Sequence, residues 1–203
     1  MPRAPLTVPR KDCESGCKII LGRAIRYAEA AETLFSAQRK QEAYALSFLG
    51  MDELGKFFLI AKAMRTTRED PVAIVGFFDH NPKMSEVIDY YKRIGGSDGL
   101  KLLSALSKLP TLALSDISLL AYAAFEGGEI ATEAEVIDAN PLGFRNAAYY
   151  VDYDRGWKSP RYPGDKICAG QVKLVKGAAK GYLQLIVEKG LAWLLNQDHL
   201  FLP

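Results

Sequence analysis

Nine consecutive residues, Arg145-Asn146-Ala147-Ala148-Tyr149-Tyr150-Val151-Asp152-Tyr153, hold an arginine, an amide, three phenols and a carboxylate. If Arg145 to Tyr149 is helical, the i, i+4 spacing puts these two side chains on one face. The planar fork of arginine donates two parallel hydrogen bonds and so suits a phosphate. Tyrosines stack on unpaired bases. The plain structural alternative is an Arg–Asp pair with aromatic packing around it. A second group is Asp52-Glu53-Leu54-Gly55-Lys56, where Glu53 and Lys56 stand i, i+3 and can pair across one turn. They lie in an otherwise apolar segment, so they must be paired, solvated or functional. They read either as a buried ion pair facing another helix or as a polar cleft in the centre of a bundle. Gly55 costs about 1 kcal/mol against Ala inside a helix, which points to something approaching closely there. The third group is Asp79-His80-Asn81-Pro82-Lys83. His80 is the one histidine in the body of the chain; His199 is in the tail. Asp79 or Asn81 can cap a following helix, a purely local task.

Cys13, Cys17 and Cys168 are sparse and odd in number. Cys13 and Cys17 share a helical face, but two further metal ligands would have to come from afar. They read as small apolar residues in a reducing cytosol. Neither a metal nor a cofactor is expected.

Helices must position these groups. Residues 1–11, with three prolines, read as a flexible arm, followed by one domain over 12–203. No apolar run of a signal peptide follows the early Arg3, Arg10 and Lys11. A first helix is expected to begin between Asp12 and Ser15, with Ile20, Ala24, Tyr27, Ala31, Leu34 and Phe35 as its apolar stripe. A second, from about Arg39 to Met64, is apolar nearly all round and belongs in the bundle centre. A third is expected over Met84–Ile94, since Asn81 precedes a proline and is turned away from the helical region. Two amphipathic pieces follow, about Gly99–Leu109 and Ser115–Phe125. The final helix spans about Lys166–Asn196, with Val175, Ala179, Tyr182, Ile186 and Trp193 on its core side. Strand signals are weak, the best being Ala148–Tyr153. The fold class is therefore all-α, a helical bundle with a loop-rich insertion before the last long helix.

The chain has 203 residues, 49% hydrophobic and 25% charged, which excludes a disordered or collagenous chain and a disulfide-stapled module. Its net charge of +2 hides segregation. Residues 126–154 carry seven acidic side chains and one basic, whereas residues 155–180 carry seven basic and one acidic. Within the latter, Lys173, Lys176 and Lys180 share one helix face. The long apolar stretches Ala43–Met64 and Val172–Leu195 each hold several charges, so no membrane span is expected.

Three blocks in order resemble the AbiV family of bacterial abortive-infection proteins, within the HEPN superfamily. They are Ala45-Leu46-Ser47-Phe48-Leu49-Gly50-Met51-Asp52-Glu53-Leu54-Gly55-Lys56, then Asp79-His80-Asn81-Pro82-Lys83, then Arg145 to Tyr153 with Trp157 and Pro160. The resemblance implies a cytoplasmic HEPN-like helical bundle, usually dimeric, acting in phage defence. Many HEPN proteins are metal-independent ribonucleases whose motif is an arginine, often with a polar residue after it, and a histidine four to six residues after the arginine. Arg145-Asn146 matches the front of that motif, but Tyr150, Val151 and Asp152 occupy the histidine slots.

Two functional readings follow, beside a plainer one in which the polar residues only fix the bundle. In the first, the protein acts on RNA or on translation, with Arg145, Asn146, His80, Tyr150 and Asp152 as catalytic candidates. Glu53, Lys56, Lys83, Tyr149 and Tyr153 would position the substrate, and His80 would replace the missing motif histidine. In the second, a non-catalytic protein captures a phage-encoded or host factor through its Tyr-rich and basic surface. A homodimer is expected in either case. Convergence of Glu53, Lys56, His80 and Arg145 would favour the first.

Overall fold

A computed structural model describes residues 4–94, the backbone of 152–153 and 157–158, and residues 164–197. The elements in chain order are β1 (Leu6–Val8), α1 (Arg10–Ser36), α2 (Lys40–Thr66), β2 (Val72–Ile74), α3 (His80–Ile94), β3 (Asp152–Tyr153), β4 (Trp157–Lys158), α4 (Asp165–Lys189) and α5 (Leu191–Leu195). The fold is all-α, a helical bundle trimmed by two small antiparallel ribbons, β1–β2 and β3–β4.

The core follows from helical periodicity. Cys13, Cys17, Ile20, Leu21, Ala24, Ala28 and Ala31 bury one face of α1. Its small residues let α2 lie close. α2 is buried over most of its length and touches α1, α3 and α4, as an element apolar on all sides must. At Gly50, an added Cβ would sit 2.8 Å from Val175 Cγ1 and 3.3 Å from the Ala24 carbonyl oxygen. Gly50 thus lets α1 and α4 close on α2 together. Val175, Ala179, Tyr182 and Ile186 form the core face of α4, with Trp193 of α5 partly buried beside them. Tyr182, Phe57, Phe58 and Tyr90 pack as tilted and edge-on rings with centroids 4.8–5.8 Å apart, joining α2, α3 and α4.

Several boundaries differ from the sequence reading. The expected arm over residues 1–11 instead contains β1, which pairs with β2 in the register Leu6↔Ile74 and Val8↔Val72, and α1 begins at Arg10. Burying Val72 and Ile74 rewards that pairing. α3 begins at His80, not Met84. Pro82 is tolerated because it falls in the first turn, where an N–H has no helical partner to lose. The single final helix is two, broken at Gly190, whose φ of +84° suits glycine. Part of the strand expected over Ala148–Tyr153 is present as β3, paired with β4. The pieces at 99–109 and 115–125 lie outside the described residues. Among the described residues, no helix is long and apolar enough to cross a membrane.

Candidate functional site

The α2–α3 seam gathers the polar residues that the apolar helix carries. Asp52 is its hub. Lys83 Nζ donates to Asp52 Oδ2 at 2.6 Å, and His80 Nδ1 lies 2.7 Å from Asp52 Oδ1. Lys56 Nζ donates to Glu53 Oε1 at 2.9 Å and stands 4.0 Å from Asp52 Oδ2. Arg23 of α1 reaches Glu53 Oε1 with Nε at 3.8 Å. Two carboxylates are therefore shared by three permanent cations and an imidazole. With His80 neutral, the group carries a net positive charge.

Gly55 makes this seam. A Cβ there would lie 2.5 Å from the Lys83 carbonyl oxygen and 2.7 Å from Lys83 Cβ. Only glycine lets the first turn of α3 rest on α2, and that contact carries Lys83 onto Asp52. Gly76 sets the approach to α3: its φ is +78°, and a Cβ on it would strike Pro82 at 2.6 Å.

Burial separates the roles. The side chains of Asp52 and Lys83 are 9% and 3% exposed, whereas that of His80 is 45% exposed. An ionised carboxylate only accepts, so it fixes the proton of a neutral His80 on Nδ1 and leaves Nε2 as an acceptor. Among the described residues, nothing occupies Nε2. Phe48 packs edge-on against the imidazole, with centroids 6.4 Å apart, and the Phe77 ring lies 5.8 Å from Lys56 Nζ. The arrangement can accept a proton at an exposed edge and attract an anion there.

Elsewhere the charges do simpler things. Lys176 and Lys180 of the basic face are paired with Glu32 at 2.6 Å and Glu29 at 3.0 Å on α1. That face is at least partly a seam between helices. All three thiols are buried. Burial raises Cys13 and Cys17 above the ordinary thiol range and pushes Cys168 up to about 12. They act as packing, not as nucleophiles.

The HEPN family model described as AbiV matches residues 12–179. The chain belongs to the AbiV family. Membership suggests a role in abortive-infection defence. No curated protein sequence and no solved structure matches the chain.

Of the residues singled out from sequence in this AbiV protein, Glu53, Lys56, His80 and Lys83 meet at the seam. Arg145, Asn146, Tyr149 and Tyr150 lie outside the described residues. Asp152 and Tyr153 are in β3, where only the backbone is described. Lys83 is turned inward onto Asp52, so its ammonium holds that carboxylate in place. Sequence reasoning named the segment containing Asp52 but passed over it as the hub, and it missed Arg23 altogether. A signal for Asp52 was present: a second carboxylate in an apolar helix needs its own partner. Nothing local marks Arg23, whose guanidinium bonds to the Tyr27 hydroxyl one turn along α1.

Proposed function

We propose that this AbiV protein defends against phage by cutting RNA, with His80 supplying the proton-handling group that the Arg145-Asn146 motif lacks. The observation that carries this reading is the 2.7 Å bond between the exposed imidazole and the buried Asp52 carboxylate. The attacking group is the substrate's own 2′-hydroxyl. His80 Nε2 takes its proton as the oxygen bonds to the neighbouring phosphorus. The P–O5′ bond breaks, leaving a 2′,3′-cyclic phosphate and a 5′-oxygen that takes a proton from water. Arg145 neutralises the charge on the phosphorane-like transition state. Asp152, Tyr150 and Asn146 orient the strand beside it, Tyr149 and Tyr153 offer rings for stacking, and Lys56 adds positive charge. Asp52, Glu53 and Lys83 act through these groups by holding them in place.

The active form is a homodimer, as HEPN pairs commonly set their arginine segments at a two-fold axis. Light scattering should give about twice the 22.4 kDa chain mass. A monomer at every concentration would remove this part.

The histidine-free slots at Tyr150, Val151 and Asp152 favour a second reading, capture of a phage-encoded or host protein without cleavage. Growth curves and total-RNA profiles with and without phage separate the two, using wild type, Arg145→Ala and His80→Ala. RNA cleavage predicts fragmented RNA in protected wild-type cells and loss of both effects in each variant. Full protection with intact RNA would transfer the function to capture.

A further inference from the structure

An open groove of about 990 Å³ lies at the other end of α2, where the start of α1, the end of α2 and α5 meet. Met64 is twelve residues from Asp52, about 18 Å along the helix at 1.5 Å per residue. Four cations line it, Arg10, Lys11, Arg65 and Arg68, with two carboxylates, Glu14 and Asp70. Both carboxylates accept hydrogen bonds, each from a backbone N–H of the groove wall. Asp70 Oδ1 accepts the Arg10 backbone N–H at 2.9 Å. Glu14 accepts the Leu191 N–H at 3.0 Å and the Lys18 ammonium at 2.7 Å. Arg10 is held rigidly, its guanidinium donating to the carbonyls of Met64 and Thr67 at the end of α2. That contact offsets the negative end of the α2 dipole, which would otherwise repel an anion. Its Nε is buried without a hydrogen-bond partner. Lys11 and Arg68 are exposed, and no described carboxylate is paired with either. Lys11 and Arg68 thus offer positive charge at the groove, on a framework fixed by backbone contacts.

We infer that this groove binds the phosphate backbone of a single-stranded RNA, as a docking site separate from the His80 edge. The inference rests on the RNA-directed reading above. A charged, open groove near the upper size of small-ligand pockets suits a polyanion and lacks the apolar enclosure that a compact ligand needs. Backbone binding of this kind is driven by counterion release, so it carries no sequence preference and weakens with salt.

The test is fluorescence anisotropy of the full chain with a labelled oligouridylate bearing 2′-O-methyl groups, which cannot be cut. Affinity is measured between 50 and 200 mM salt for wild type, His80→Ala, and Lys11→Gln combined with Arg68→Gln. The double variant should bind more weakly at low salt, with a log Kd against log salt slope smaller by about 1.4, at 0.7 per lost single-strand contact. Its melting temperature should stay unchanged because both side chains are exposed. His80→Ala should keep the wild-type slope. An unchanged slope in the double variant overturns the groove while leaving RNA cleavage standing. Absence of binding by wild type overturns both. Displacement of the oligomer by adenosine triphosphate at equal phosphate concentration overturns the strand and assigns the groove to a free nucleotide.

Discussion

Ion pairs cross both the α2–α3 seam and the α1–α4 seam, yet the surroundings of the two differ. Between α1 and α4, Lys176–Glu32 and Lys180–Glu29 join long side chains whose carboxylates are about half exposed. Each charge keeps water within reach, so each pair contributes about 0–1 kcal/mol. Between α2 and α3, Asp52 and Lys83 have lost nearly all their water. Taking two charges out of water costs several kcal/mol per ion, which their mutual contact must offset, and removing one strands the other. The same residue types therefore zip one surface and organise a site on another. The difference also shows how an exposed ring can be oriented: His80 is exposed, but its partner is buried, so the ring is held from below through Nδ1.

Four substitutions break or sharpen this contrast. Asp52→Ala should cost most, about 3–5 kcal/mol in urea unfolding, because the Lys83 ammonium is left buried without its carboxylate. A loss below about 1 kcal/mol would mean that Lys83 reaches water and that the two seams are alike. Gly55→Ala should come next, at about 1–3 kcal/mol, since the new methyl overlaps the Lys83 backbone. The helix-propensity gain of about 1 kcal/mol works against this loss, so a neutral or stabilising result would show that α3 shifts freely on α2. His80→Ala should change stability by no more than about 1 kcal/mol, because the ring is half exposed and Asp52 keeps Lys83. Phage protection should nevertheless be lost, and a variant that unfolds instead would make His80 a structural residue. The double variant Lys176→Ala with Lys180→Ala should cost least, about 0–2 kcal/mol in total. High salt should erase even that difference, since exposed pairs are screened. A larger, salt-resistant loss would place these lysines in the class of Lys83.

The helices were legible because burial imposes a 3.6-residue period on sequence. Of the expected α1 stripe, Ile20, Ala24 and Ala31 are buried while Tyr27, Leu34 and Phe35 are only partly so, and the apolar girth of α2 marks it as central. The pairing of Glu53 with Lys56 was legible for the same reason, being local to one helix turn. Gly55 announced a close approach without saying what approaches. Capping and boundaries were less legible. Pro82 suggested a later start for α3 because the rule for residues before proline is statistical, whereas packing of the first turn on Gly55 and Asp52 decided the outcome.

By itself, then, the sequence determined an all-α bundle, its central helix, its family blocks and the polar residues worth watching. Each of these depends on contacts a few residues apart or on composition. Only the tertiary structure decided that His80 and Lys83 share the two oxygens of Asp52, 28 and 31 residues away. The tertiary structure alone also took Lys176 and Lys180 onto α1 and left Lys11 and Arg68 facing a groove. A charge carries no mark in the sequence of which partner it will meet or how much water it will keep. Those are set by how helices cross, and here the crossing is set by the absent side chains of Gly50 and Gly55.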